Sequence, residues 1–155
     1  MLSLRNINTI AVFDGDDLEV KYVSAGRVIR QHDPDFQADG TISLFNNNSD
    51  NTADGRVLGG SNILKIDPET KNPTILYGGK PDQKIHTNTR GSHQMLWNGN
   101  ILMTEFEAGR IIEVTPAGEI VWEFINRYDA ARVAEISQAI RYPADYFVDR
   151  NWTCG

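Results

Sequence analysis

At 155 residues the chain has the size of one ordinary domain, and folding a chain of that length removes roughly 70% of its unfolded surface from water. Hydrophobic residues make up 40% and charged residues 23%, the proportions of a soluble globular protein, while a net charge of −6 argues against a nucleic-acid partner, which needs clustered Lys and Arg. The single cysteine, Cys154, excludes an internal disulfide and any cysteine-based zinc site, and no apolar run approaches the roughly 18 residues of a membrane span.

Taken in order, the first ten residues, MLSLRNINTI, put Arg5 and Asn6 where a signal peptide would need its apolar core, so the chain shows no export signal. LSLRN reads as a strand. INTIAVFDGDDLEVKYV then reads as two more, joined by the polar turn Asp14-Gly15-Asp16-Asp17. The next unit runs HDPDFQADG, GTISLFNNN and SNILKIDPETKNPTILYG, with its last turn at Asp67-Pro68-Glu69-Thr70. A third unit follows the same plan: SHQMLWNG, GNILMTEFE and GRIIEVTPAGEIVWEFI, turning at Thr115-Pro116-Ala117-Gly118. In its final strand Ile120, Trp122 and Phe124 alternate with Glu119, Val121 and Glu123, largely the period of a strand with one buried face.

Two complete four-strand units thus lie at roughly 28–79 and 85–125, and a first unit lacks its opening strand. Repeats of about 40–50 residues with four strands each are the pattern of β-propeller blades. The expected fold is all-β: a partial propeller of about two and a half blades, with an incomplete blade over 1–25, blades over 26–80 and 81–126, and an extension over 127–155. In that extension Val133, Ile136 and Ile140 have helical spacing behind the candidate N-cap Asp129, which predicts a short helix ended by Arg141-Tyr142-Pro143. Tyr146, Phe147 and Trp152 make the last stretch apolar enough to pack back on the blades. Between the second and third strands of the middle unit lies a polar, glycine-rich insertion from Asn46 to Gly60, and residues 78–88 join the last two units.

Repeat geometry converts position in sequence into position in space. His32 and His93 both lie in opening segments, shortly before the turn glycines Gly40 and Gly99. Opening strands line a propeller's channel, so the two imidazoles are expected to face one cavity, with Arg56 from the insertion and Arg90 from the segment before His93 within reach of its mouth. Such a set suits transfer of an anionic group: one imidazole attacks, another moves the proton, and guanidinium groups stabilise the transferred oxygens. The bland alternative is a pair of structural histidines with two loop arginines. His86 reads as solvated. Gly78-Gly79-Lys80 is no phosphate loop and Gly91-Ser92-His93 no nucleophile elbow. Neither zinc-type nor EF-hand spacing occurs, so no metal site is expected, although His32 with Asp33 and Asp35 supplies ligand types.

The succession LSLRNINTIAVFD, RQHDPDFQADGTISLFNNN, SNILKIDPET, RGSHQMLWNGNILMTEFEAGRIIEVTPAGEIVWEF and IRYPADYF strongly resembles the arylsulfotransferase family over nearly the whole chain. The resemblance implies the latter part of a six-bladed propeller. It implies sulfuryl transfer from an aryl sulfate to a phenolic acceptor through a sulfated histidine, with neither a nucleotide sulfate donor nor another cofactor. In family terms His32 in QHDPDF matches a channel-lining histidine, Arg56 matches the active-site arginine, and His93 matches the nucleophile. The family's earlier active-site histidine and about half of its ring have no counterpart here. A full-length relative would be periplasmic or secreted. The rival reading is a non-catalytic propeller module that binds a small ligand or a protein, and a third is that copies of the chain associate to close a ring.

Overall fold

The structure is a computed structural model that describes residues 1–49 and 60–146. Its strands fall into three antiparallel sheets. The first holds β1 (Leu2–Leu4), β2 (Thr9–Phe13) and β3 (Val20–Ala25). The second holds β4 (His32–Phe36), β5 (Ile42–Asn46), β6 (Asn62–Ile66) and β7 (Pro73–Tyr77). The third holds β8 (Ser92–Met95), β9 (Ile101–Glu105), β10 (Arg110–Val114) and β11 (Ile120–Ile125). Within each sheet the strands follow one another in chain order. The all-β class holds, and every strand read from the sequence is present.

Local chemistry accounts for the turns. The Asp14 and Asp17 carboxylates accept backbone N–H groups two residues on, at 3.0 and 2.8 Å, and Asp67 does the same for Glu69 at 2.8 Å. These bonds close the chain without help from the ladder. At the third turn Thr115 Oγ1 takes the Glu119 N–H at 3.2 Å, and Gly118 adopts a φ of +90°.

Alternation along β5 explains how the sheets stack. Leu44 points towards the first sheet and packs with Ile10 of that sheet, with Val28, and with Leu64 and Ile66 of its own sheet. Phe45, its neighbour, points the other way and packs with Ile63, Tyr77, Ile85, Met103 and Ile112. The middle sheet is therefore covered on both sides. The outermost strands are not: Val20 and Val23 on β3, and Ile120, Val121, Trp122 and Phe124 on β11, all remain exposed.

The helix expected after Tyr128 is absent. Residues 126–141 instead run extended along the third sheet, with one bridge between Arg127 and Val133. Asp129 does cap a turn, accepting the Ala131 and Arg132 N–H groups at 2.9 and 2.8 Å, but no helix follows it. The extended course wins because its backbone donors find partners on the sheet. Ile136 N–H reaches Phe106 O at 3.3 Å, Ala139 N–H reaches Thr104 Oγ1 at 3.1 Å, and Arg141 N–H reaches Gln94 Oε1 at 2.8 Å. Ile136 and Ala139 then pack on Leu96, Leu102 and Ile111. A lone helix of about thirteen residues is marginal in water and offers nothing comparable. Of the residues expected to pack back on the sheets, Tyr146 is 58% exposed with its ring 4.3 Å from that of Tyr142, and Phe147 and Trp152 lie outside the described residues.

Candidate active site between the second and third sheets

β4 is an edge strand of its sheet and lies against β8 of the next. Its sequence, His32-Asp33-Pro34-Asp35-Phe36, breaks the ladder. His32 pairs with Phe45 and Asp35 with Ser43, so Asp33 and Pro34 together oppose the single residue Leu44. This is a β-bulge, and its cause is local: Pro34 has no N–H to give, and Asp33 takes the left-handed conformation, φ +51°. The extra residue turns the Asp33 carboxylate across the gap towards β8.

There it meets His93. Asp33 Oδ2 accepts the His93 backbone N–H at 2.7 Å and lies 3.2 Å from His93 Nδ1. On the other side of the ring, His93 Nε2 is 2.6 Å from Ser43 Oγ on β5. Gln37 Nε2 donates to the same Ser43 oxygen at 2.6 Å. A carboxylate at Nδ1 can only accept, so in the neutral ring Nδ1 carries the proton and the Ser43 hydroxyl donates to Nε2. The network therefore assigns the His93 proton to Nδ1 and leaves the lone pair on Nε2. The His93 side chain is 0% exposed.

The register also corrects the expected relation between the two histidines. Ile42 and Ile101 are equivalent, each two residues past its turn glycine and each opposite the closing residue of the preceding strand, Phe36 or Met95. Counting back, His32 corresponds to Ser92, and His93 corresponds to the Asp33–Pro34 bulge. The imidazoles consequently do different things. His32 Nδ1 donates to Asn47 Oδ1 at 2.6 Å, and its Nε2 accepts the Arg90 N–H at 3.3 Å. Asn47 uses its amide group to hold Thr87 O and Arg90 O, at 3.0 and 2.8 Å. His32 thus staples the loop that leads into His93, while its chain neighbour Asp33 holds the His93 ring.

Arg90 sits in that loop at φ +57°, with its guanidinium 4.4 Å above the Phe106 ring. His86 is exposed, as expected, although its backbone N–H is anchored by Glu105 at 2.7 Å. Arg56, together with most of the insertion that carries it, lies outside the described residues. Ser43 and Gln37 escaped sequence reasoning, and Asp33 was noted only as a possible ligand type beside His32 and Asp35, whereas its partner is His93. Ser43 could have been found as the one polar side chain on the inward face of ISLFN, beside Phe45. The Asp-Pro pair inside a strand was the signal for the bulge.

Asp35 completes the cluster. Loss of water around its carboxyl, and then the neighbouring charge of Asp33, push it above the usual carboxylate range, with His93 pulling the other way. Ligand atoms of Asp33, Asp35 and His93 lie within 4.8 Å of one another, a donor set of a kind that a divalent cation accepts. Beyond Ser43 a cleft of about 290 Å³ opens, walled by Gln37, Asp39, Lys65, Leu76 and Met95. Lys65 pairs with Asp39 at 2.5 Å and holds that carboxyl well below its ordinary range.

Compared with known protein families, residues 1–127 match the arylsulfotransferase (ASST) family. The chain belongs to that family. The match takes in all three sheets and stops two residues after β11, leaving out most of the extended segment. No curated protein matches the chain. Family membership supports an aryl sulfotransferase-like function at the level of the family, with small molecules as substrates. Among the described residues no helix is long and apolar enough to cross a membrane.

Proposed function

We propose that the site around His93 moves a sulfuryl group from an aryl sulfate to a phenol, and that the three sheets are successive blades of a propeller around it. The observation that carries this reading is the paired treatment of one ring: a carboxylate on Nδ1 and a lone pair on Nε2 aimed at a residue that lines a cleft. Attack requires the Ser43 hydroxyl to turn off Nε2. The nitrogen then bonds to sulfur, the S–O bond to the aryl group breaks, and the phenoxide leaves and takes up a proton. Asp33 stabilises the positive charge that builds on the ring. A phenol then gives its proton to His32 and attacks the sulfur, the bond from sulfur to His93 Nε2 breaks, and the ring recovers its lone pair.

Arg56 and Arg90 are the candidates for binding the sulfuryl oxygens. His32 is the candidate proton donor to the phenoxide, and to serve so its Nδ1 proton must leave Asn47. The zero exposure of the His93 side chain favours a second reading, in which the same hydrogen bonds merely pin two sheets of a non-catalytic binding module.

Initial rates with 4-nitrophenyl sulfate and a phenol separate the two. The enzyme reading predicts parallel double-reciprocal lines and a loss of roughly a thousandfold or more in His93→Gln. An active wild type with unchanged rates in a folded His93→Gln would remove His93 from the chemistry.

A further inference from the structure

Ser43, His93 and Asp33 have a property that sulfuryl transfer does not use. A hydroxyl 2.6 Å from an imidazole Nε2, with a carboxylate 3.2 Å from Nδ1 of the same ring, is the arrangement of a nucleophile, its base and the group that orients the base. The three residues come from β5, β8 and β4, so the array is built by the packing of two sheets and is held from both sides. Asp33 is fixed by the backbone N–H of His93 as well as by its ring. Ser43 lines the cleft but is itself 0% exposed, its oxygen covered by Gln37, so an ester reaches that oxygen only when the Gln37 amide turns from it to the forming oxyanion.

We infer that Ser43 is a second nucleophile of this site, one that takes an acyl group from small aryl esters of carboxylic acids. The cleft suits such a substrate. Leu76 and Met95 offer an apolar wall to a single aromatic ring, and about 290 Å³ is at the small end for a ligand pocket. Gln37 Nε2 sits 2.6 Å from the Ser43 oxygen, within reach of an oxyanion that forms beside it.

The steps balance. Ser43 Oγ bonds to the carbonyl carbon and gives its proton to His93 Nε2. The bond to the aryl oxygen breaks, and His93 hands the proton to the departing phenoxide. Water then attacks the acyl-serine, losing a proton to Nε2. The carboxylic acid leaves, and Ser43 recovers its proton from His93. Asp33 acts through the ring and is a positioning residue.

Phenylmethanesulfonyl fluoride, a small aromatic probe that exchanges fluoride for a serine oxygen, tests this on the full chain. Peptide mass mapping should place one adduct on Ser43, together with loss of 4-nitrophenyl acetate hydrolysis. Ser43→Ala, which deletes one oxygen, should show neither adduct nor hydrolysis. His93→Gln should slow labelling at least a hundredfold. Asp33→Asn should slow it as well, and Asp33→Glu should recover part of the rate, which a merely structural role would not produce. A folded wild type that gains no adduct at Ser43, or one whose ester hydrolysis survives Ser43→Ala, overturns the inference. Either result leaves sulfuryl transfer by His93 to its own test.

Discussion

At the scale of the residue, one hydrogen-bond chain decides what the site can do: Gln37 to Ser43, Ser43 to His93, His93 to Asp33. It fixes which nitrogen of His93 is basic. Asp35 stands beside it, and loss of water around its carboxyl, then the charge of Asp33, raise it above the usual carboxylate range. A carboxyl whose folded value is raised costs stability once it ionises, so the penalty is present near neutrality and vanishes below the ordinary carboxylate value of about 3.9. Asp35→Asn should therefore raise the thermal midpoint at about pH 7, with the gain fading to nothing by about pH 3. Melting curves across that range check it, and a gain that persists in acid would contradict the cause given. Of these residues, His32 and His93 were legible because histidine is rare in the chain and each precedes a turn glycine. Their relation was not. A single extra residue at Asp33–Pro34 shifts the register, and only backbone pairing reveals it.

At the scale of the element, the strands were legible because each carries its own signals: alternating apolar positions and turns closed by Asp or Thr side chains. The segment after β11 was misread because its helical spacing competes with an external template. Its hydrogen bonds go to Phe106, Thr104 and Gln94, which a local pattern cannot foresee. Two further contacts hold it. Arg141 pairs with Glu113, whose carboxyl burial disfavours as an anion but which Asn100, Asn98 and Arg141 together hold below the usual range. Gly109, at φ +54°, lets the Ala134 carbonyl approach so closely that an added Cβ would lie 2.1 Å from it. Gly109→Ala should cost roughly 1–3 kcal/mol. Amide exchange should quicken at Ala134, Ile136 and Ala139 while β9 keeps its protection. Equal protection throughout would mean that the segment is not held by this close approach.

At the scale of the whole molecule, the middle sheet is sandwiched and the two outer sheets each leave an apolar row uncovered. Leu2, Leu18 and Val20 are exposed at one end, and Val121, Trp122 and Phe124 at the other. Rows of this kind suit contact with further sheets, which is how blades of a ring meet one another. The candidate site depends on this stacking. Its residues come from two sheets, and Asp33 reaches His93 only because β4 lies against β8. The proposed function therefore rests on the contact between the second and third sheets, and neither sheet alone carries the candidate site.

His93 is proposed to carry the sulfuryl group, and one experiment reads that directly. The direct measurement is peptide mass mapping of the chain after brief exposure to 4-nitrophenyl sulfate, quenched at high pH to preserve an acid-labile N–S bond. One sulfuryl group on the peptide holding His93, absent in His93→Gln, is the predicted result. A sulfuryl group mapped to another residue, or release of nitrophenol without any adduct on His93, would contradict it.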